Sequence, residues 1–306
     1  MILDNEKDHS QEIDLKLLFK VLWDKKVFIS ALSSIFAILS IIYALLLPNY
    51  FTSQSTLYAV IDEGDTGSTL SSMASRYGGL AGVAGITLPQ VDGASKTAIM
   101  LATIESREFL SHLLTFEGVR EKLIATKSYN TSSKTISFDK NIFNSESNTW
   151  VDGQPSDLFT YNAYKQIISL YEDKISGLIT ISVTHKSPIF AKSFLDLIIQ
   201  EANNIMRQRD MIESSDSLEY LTNQLDSTKQ ADIRYSINQL IETQLKKQML
   251  ANVRKFYILN PIDIPFIPEE KSEPKRSELV IMLTIIGFIF SILIVLFRHY
   301  SEILKE

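Results

Sequence analysis

The chain contains no cysteine, which excludes disulfides, thiolate catalysis and cysteine-ligated metal. Histidine is scarce as well: His9, His112, His185 and His299 stand in four separate segments. No His-Glu-x-x-His, nucleophile elbow or acidic metal cluster accompanies them. Charge of one sign is not in marked excess. A net charge of −6 over 306 residues leaves no basic footprint for nucleic acid. Asp196, Glu201 and Asp226 fall on helical patterns and read as solvated faces. No catalytic, cofactor-binding or metal-ligating residue is therefore expected, and no cofactor.

Glycine and proline are missing altogether from residues 189–260. As one helix that stretch would reach ~108 Å at 1.5 Å per residue. A compact domain cannot cover such a rod, so a reversal is expected, and the polar break at residues 226–232 is the best place for it. One apolar stripe runs through Leu218, Leu221 and Leu225, a second through Ile233, Ile237, Leu240, Ile241, Leu245, Met249 and Val253. Together they predict a long helical hairpin over about 188–254, opened by Ser187-Pro188, with Pro at the first turn.

What the chain does have is two long apolar runs. Residues 27–47 and 279–297 carry no charged side chain, and each is long enough to cross ~30 Å of hydrocarbon. A cleaved signal peptide is not expected for the first. Its apolar stretch exceeds the usual ~7–15 residues, and no small-x-small site follows Leu47. Lys16, Lys20, Lys25 and Lys26 precede it, whereas no Lys or Arg follows closely. The positive-inside rule then puts residues 1–26 in the cytoplasm, residues 48–278 across the membrane, and the tail 298–306 back in the cytoplasm. Lys271, Lys275 and Arg276 oppose that bias locally.

Ser30, Ser33, Ala37, Ser40 and Ala44 recur at steps of three and four, with Thr284, Gly287 and Ser291 as a shorter counterpart in the second run. Small residues let helix backbones approach closely in lipid. Leu15, Leu18, Phe19 and Leu22, followed by Trp23 and Lys25-Lys26, read as a short interfacial helix with an aromatic and basic anchor.

Between the runs, residues 50–60 and 177–184 read as strands. Residues 95–125 and 156–172 read as helical, and residues 126–153 as a surface loop or ragged hairpin. Residues 256–264 read as a strand returning to a base formed by about 48–187 and 255–268. Pro261, Pro265, Pro268 and Pro274 stiffen a linker over about 261–278. The Gly-rich stretch 78–86 lacks the Lys-Ser/Thr pair of a phosphate loop and reads as a flexible or closely packed loop. The predicted fold class is α+β: two transmembrane helices flanking an extracytoplasmic α/β base with a long projecting helical hairpin.

The order of these parts resembles the chain-length determinant family, the polysaccharide co-polymerases of Gram-negative inner membranes. Ile13-Asp14-Leu15 with Leu22-Trp23 looks like that family's amino-terminal signature, and Gly78-Gly79-Leu80-Ala81 through Ala84-Gly85-Ile86 is similar to its Gly-rich loop. Residues 177–183 with Ser187-Pro188 resemble its strand and long-helix start. Tyr220-Leu221, Gln239-Leu240-Ile241-Glu242 and residues 249–254 carry the strongest likeness, and Pro261 and Pro268 before Lys275-Arg276 fit its Pro-rich approach to the second span.

The resemblance implies a ring-forming homo-oligomer that is not an enzyme. It implies a regulator of the modal length of a lipid-linked surface glycan, commonly O-antigen, made by a separate inner-membrane polymerase. The implied partners are other copies of the chain, that polymerase, the growing polysaccharide and membrane lipid. The second span has fewer Gly residues than many relatives. Polysaccharide-export tyrosine kinases share the amino-terminal signature, but nine residues after Phe297 are too few for their nucleotide-binding domain. A two-span sensor or export adaptor working with a separate partner is the alternative reading.

Overall fold

The structure, a computed structural model, describes residues 21–60 and 94–303. The helix expected around Leu15 to Phe19, the Gly-rich loop at 78–86 and His9 lie outside the described residues. The chain divides into two compact units, one holding the two apolar helices and the other spanning Tyr50–Lys271.

In the first unit, α1 (Lys26–Leu46) packs along α8 (Arg276–Ile303). Both are long and apolar enough to cross a membrane. The small residues of the two sequence stripes meet at this seam. Ser40, Ala44 and Ser291 are buried, and the Ser33 and Ser291 hydroxyls lie 3.3 Å apart. Gly287 sits so close to Phe36 that a Cβ built on it would come within 2.4 Å of the phenylalanine's Cβ. Phe36 in turn meets Phe290 edge-on, with centroids 6.0 Å apart. Ser34, Ser40, Thr284 and Ser291 return their hydroxyl protons to carbonyls three or four residues earlier, so no hydroxyl donor is left facing lipid from these positions.

Arg276, which opposes the charge bias, has a local partner. Its Nη2 donates to the Leu47 carbonyl at 3.2 Å and to Asn49 Oδ1 at 3.0 Å. Leu47 follows the last turn of α1, where backbone carbonyls lack intrahelical donors and the helix dipole is negative. A guanidinium there joins the end of one apolar helix to the start of the other.

The second unit is built on a four-stranded antiparallel sheet in the order β6-β7-β1-β8, from β1 (Phe51–Ala59), β6 (Ile168–Glu172), β7 (Leu178–His185) and β8 (Leu259–Pro261). In β7 every second side chain is buried, as expected of a sheet with one face covered. That face carries Leu57, Ile179, Ile181 and Val183. Across it lies α6 (Pro188–Ser227), whose first half buries Phe190, Phe194, Leu195, Ile198, Ile199, Ala202 and Met206.

Three short helices, α2 (Ala94–Ile104), α3 (Arg107–Leu113) and α4 (Val119–Ala125), make up the stretch that reads as helical at 95–125. The breaks fall at Ser106 and at Gly118, whose φ of +74° suits glycine. Ser106, Ser156 and Ser187 each accept the N–H of a phenylalanine three residues on, capping α3, α5 (Asp157–Ile167) and α6. Residues 126–150 hold two small hairpins, β2 (Thr126–Asn130) with β3 (Thr135–Phe138) and β4 (Phe143–Asn144) with β5 (Thr149–Trp150).

The helical reading of 156–172 is corrected in its last turn. Residues 168–172 leave α5 and pair with β7 as an edge strand, Ile168 opposite Val183. The alternation Ile168, Leu170 and the β-branched and aromatic content favour the pleat once a partner strand is available. The strand expected at 256–264 is confined to β8: before it the N–H groups of Tyr257 and Ile258 go to the Asn203 side chain, and after it Ile262 and Asp263 share the single Thr56 carbonyl instead of continuing the ladder.

The hairpin reverses between Ser227 and Ala231, where α6 ends and α7 (Ala231–Val253) begins. Arg234 closes the turn by donating to the carbonyls of Leu225 and Thr228. Burial along α6 stops at Ser214, and α7 buries only Ile237 and Ala251. Beyond Ser214 the two helices pack on each other, joined there by Ser214 Oγ donating to the Gln244 carbonyl at 3.0 Å.

Candidate interaction surface

The root of the hairpin is fixed by a line of polar residues on α6: Asn203, Arg207, Asp210 and Ser214, spaced by four, three and four. That spacing places them on one helix face. The Asn203 amide is buried and satisfied. Its Oδ1 accepts the N–H groups of Tyr257, Ile258 and Leu259 at 2.9, 2.8 and 3.1 Å. Its Nδ2 donates to the carbonyls of Ile199 and Leu259 at 2.9 and 3.1 Å. One side chain thereby ties the returning segment to α6.

One turn on, Arg207 Nη2 donates to the carbonyls of Arg254 and Lys255, both at 2.8 Å, satisfying groups that the end of α7 leaves open. Asp210 is buried and accepts the Tyr257 hydroxyl at 2.6 Å, with Lys96 and Lys247 each 3.5 Å from its carboxylate. A buried carboxylate needs such partners, because an unpaired charge in a low dielectric costs several kcal/mol. These residues escaped sequence reading. Their signal was polar residues at helical spacing where the apolar residues thin out.

Above this root the hairpin presents apolar surface. Ile212 and Tyr220 on α6, and Ile233, Tyr235, Leu240, Leu245, Met249 and Val253 on α7, are exposed. The second sequence stripe is therefore split. Ile237 turns inward, whereas most of the other members face outward. Exposed apolar side chains in this number are typical of interaction surfaces.

The scattered histidines are not brought together. His112 Nε2 lies 2.6 Å from Glu201 Oε2. Glu201 is thus paired and mostly buried, which corrects its reading as a solvated position. His185 is buried at the end of β7; Ser187 N–H donates to its Nδ1, so Nε2 carries the proton given to the Lys122 carbonyl. Burial pulls its pKa down to about 4. Asp196 pairs with Lys192 one turn away, and Asp226 is exposed near the reversal. Among the described residues no group of three or more His, Asp or Glu side chains is arranged to hold a metal ion.

Residues 11–115 match the family model "Wzz: Chain length determinant protein". No curated protein matches the chain significantly. A solved "full-length bacterial polysaccharide co-polymerase" is similar to it at 14% identity and TM-score 0.41, over 95% of this chain and 98% of that one. A fragment of WzzB, a polysaccharide co-polymerase from Salmonella Typhimurium, is similar at 13% identity and TM-score 0.37, over 74% of this chain and all of that one. At those scores neither likeness decides the architecture. The family match runs from before α1 through β1 to just past the end of α3, so about the first third of the chain is similar to the chain-length determinant proteins.

Proposed function

We propose that the protein is a non-catalytic regulator of the chain length of a lipid-linked surface polysaccharide, O-antigen or a related glycan. The observation that carries this reading is the family match over residues 11–115. In this reading α1 and α8 cross the inner membrane, both termini are cytoplasmic, and residues 48–278 stand in the periplasm. Several copies assemble through the exposed row on α6 and α7 and act as a scaffold beside a separate membrane polymerase. Exposed apolar residues along the hairpin support self-association, since their burial between copies would remove them from water.

Deleting the gene and resolving the surface polysaccharide on a gel tests the proposal. Loss of the preferred length cluster, with shorter chains still made, is the expected result. An unchanged length distribution in a strain whose polymerase is active would reject it.

A further inference from the structure

After β8 the chain continues along the edge of β1 in an unusual manner. The N–H groups of Ile262 and Asp263 both donate to the Thr56 carbonyl, at 2.8 and 3.2 Å. Ser55 Oγ donates to the Asp263 carbonyl and Ser53 Oγ to the Phe266 carbonyl, at 2.5 and 2.7 Å. The segment is thus fastened to the sheet by its backbone. Its side chains are sorted against the usual pattern: Pro265 and Pro268 are buried, while Ile262, Ile264, Phe266 and Ile267 are 54, 73, 51 and 52% exposed. Four large apolar side chains within six positions are held out into solvent by a backbone that cannot turn them in.

The segment has a definite direction along β1. Its bonds step from Thr56 to Ser55 to Ser53, that is, toward the start of β1 at Phe51. Phe51 is five residues beyond Leu46, where α1 ends, so a fully extended link reaches at most about 18 Å. Ile267 is itself nine residues from Arg276, where α8 begins. Both covalent links to the apolar helices therefore leave from the end of the sheet at which Phe266 and Ile267 are displayed.

We infer that Ile262, Ile264, Phe266 and Ile267 form a membrane-contact strip, which rests in the headgroup layer of the bilayer that α1 and α8 cross. Phe and Ile at the boundary bury apolar surface about 5–10 Å into the acyl margin without spanning it. Residues 263–276 carry Asp263, Glu269, Glu270 and Glu273 against Lys271, Lys275 and Arg276, a near balance that gives anionic lipid no electrostatic advantage. Zwitterionic headgroups are the matching surface. The inference rests on the reading of α1 and α8 as spans, and its test separates the two.

The absence of cysteine makes single labelling sites available. Full-length Phe266→Cys and Ile267→Cys, each carrying an environment-sensitive fluorophore, are reconstituted in phosphatidylcholine liposomes brominated either near the headgroup or near the chain end. Ile35→Cys, midway along α1, reports on spanning, and Lys229→Cys, at the hairpin reversal, is the exposed control. Shallow bromine should cut emission at 266 and 267 at least about two-fold relative to position 229, the depth expected of an interfacial segment. Deep bromine should quench position 35. Quenching at 35 without quenching at 266 or 267 overturns the inference and leaves the spans intact. Blue-shifted but unquenched emission at 266 and 267 also overturns it, since protein would then cover the strip. No quenching at 35 overturns the spanning reading and the strip with it.

Discussion

Gly287 faces Phe36 across the α1–α8 seam, with no room between them for even a methyl group. A side chain at position 287 must therefore push the helices apart or drive Phe36 out of its contact with Phe290. Overpacking of this kind costs about 1–3 kcal/mol. With Ser33→Cys and Ser291→Cys in the same chain, whose hydroxyls lie 3.3 Å apart, oxidation in membranes should give a nearly complete intramolecular crosslink. Adding Gly287→Leu should reduce the crosslinked fraction several-fold. An unchanged yield would show that the seam does not depend on this contact.

Asn203→Ala should be among the most damaging single changes in the second unit. It strands three backbone N–H groups that the amide now satisfies, at about 1–3 kcal/mol for each buried group left unpaired. The expected loss is on the order of 3 kcal/mol or more, seen as a lower Tm. Hydrogen exchange should accelerate at residues 257–259 before it does so in β7. Uniform acceleration across the unit would argue against a local tie.

Tyr257→Phe leaves the shape of that root almost unchanged and removes only the hydroxyl donated to Asp210. Hydrogen bonds to charged groups contribute about 1.5–3 kcal/mol, so stability should fall by that order. Asp210→Asn in the Tyr257→Phe background should then cost less than it does alone, because the two changes break one shared bond.

His185 gives the second unit a pH dependence of definite sign. Burial holds the folded-state pKa near 4, below the ordinary value of 6.5, so the unfolded chain binds the extra proton between those pH values. Stability from this residue is fully present above pH 6.5 and is lost as pH falls toward about 4, by roughly 3 kcal/mol in all. Denaturant midpoints measured by circular dichroism across that window should fall for the parent chain. They should fall much less for His185→Gln, which cannot titrate.

Several elements were legible because their cause is local. A charge-free run long enough to span, the alternation of residues 178–185, and Ser187-Pro188 as a helix start each need only neighbouring residues. The hairpin reversal was legible from a polar break between two periodic stripes. Ile168 to Glu172 was not, since the segment continues a helical pattern and becomes a strand only through pairing with β7. Asn203, Arg207 and Asp210 were illegible for a related reason: the groups of residues 254–259 that they hold lie 47 to 56 residues away in sequence. The outward turn of the α7 stripe depended on how the two helices rotate against each other, which periodicity alone does not set.

The exposed row on the hairpin offers a change that separates assembly from folding. Leu245→Glu with Met249→Glu removes apolar surface that touches no core, so Tm should move by less than about 0.5 kcal/mol equivalent. Sedimentation of the detergent-solubilised protein should nevertheless shift toward smaller species. A preserved large particle would place self-association elsewhere.

The most direct measurement reconstitutes the purified protein with its own strain's polysaccharide polymerase and lipid-linked repeats in proteoliposomes and resolves the products by length. Products should gather about a preferred length when the protein is present and spread without one when it is omitted. The same spread in both samples, with the polymerase active in each, would contradict length control by this protein.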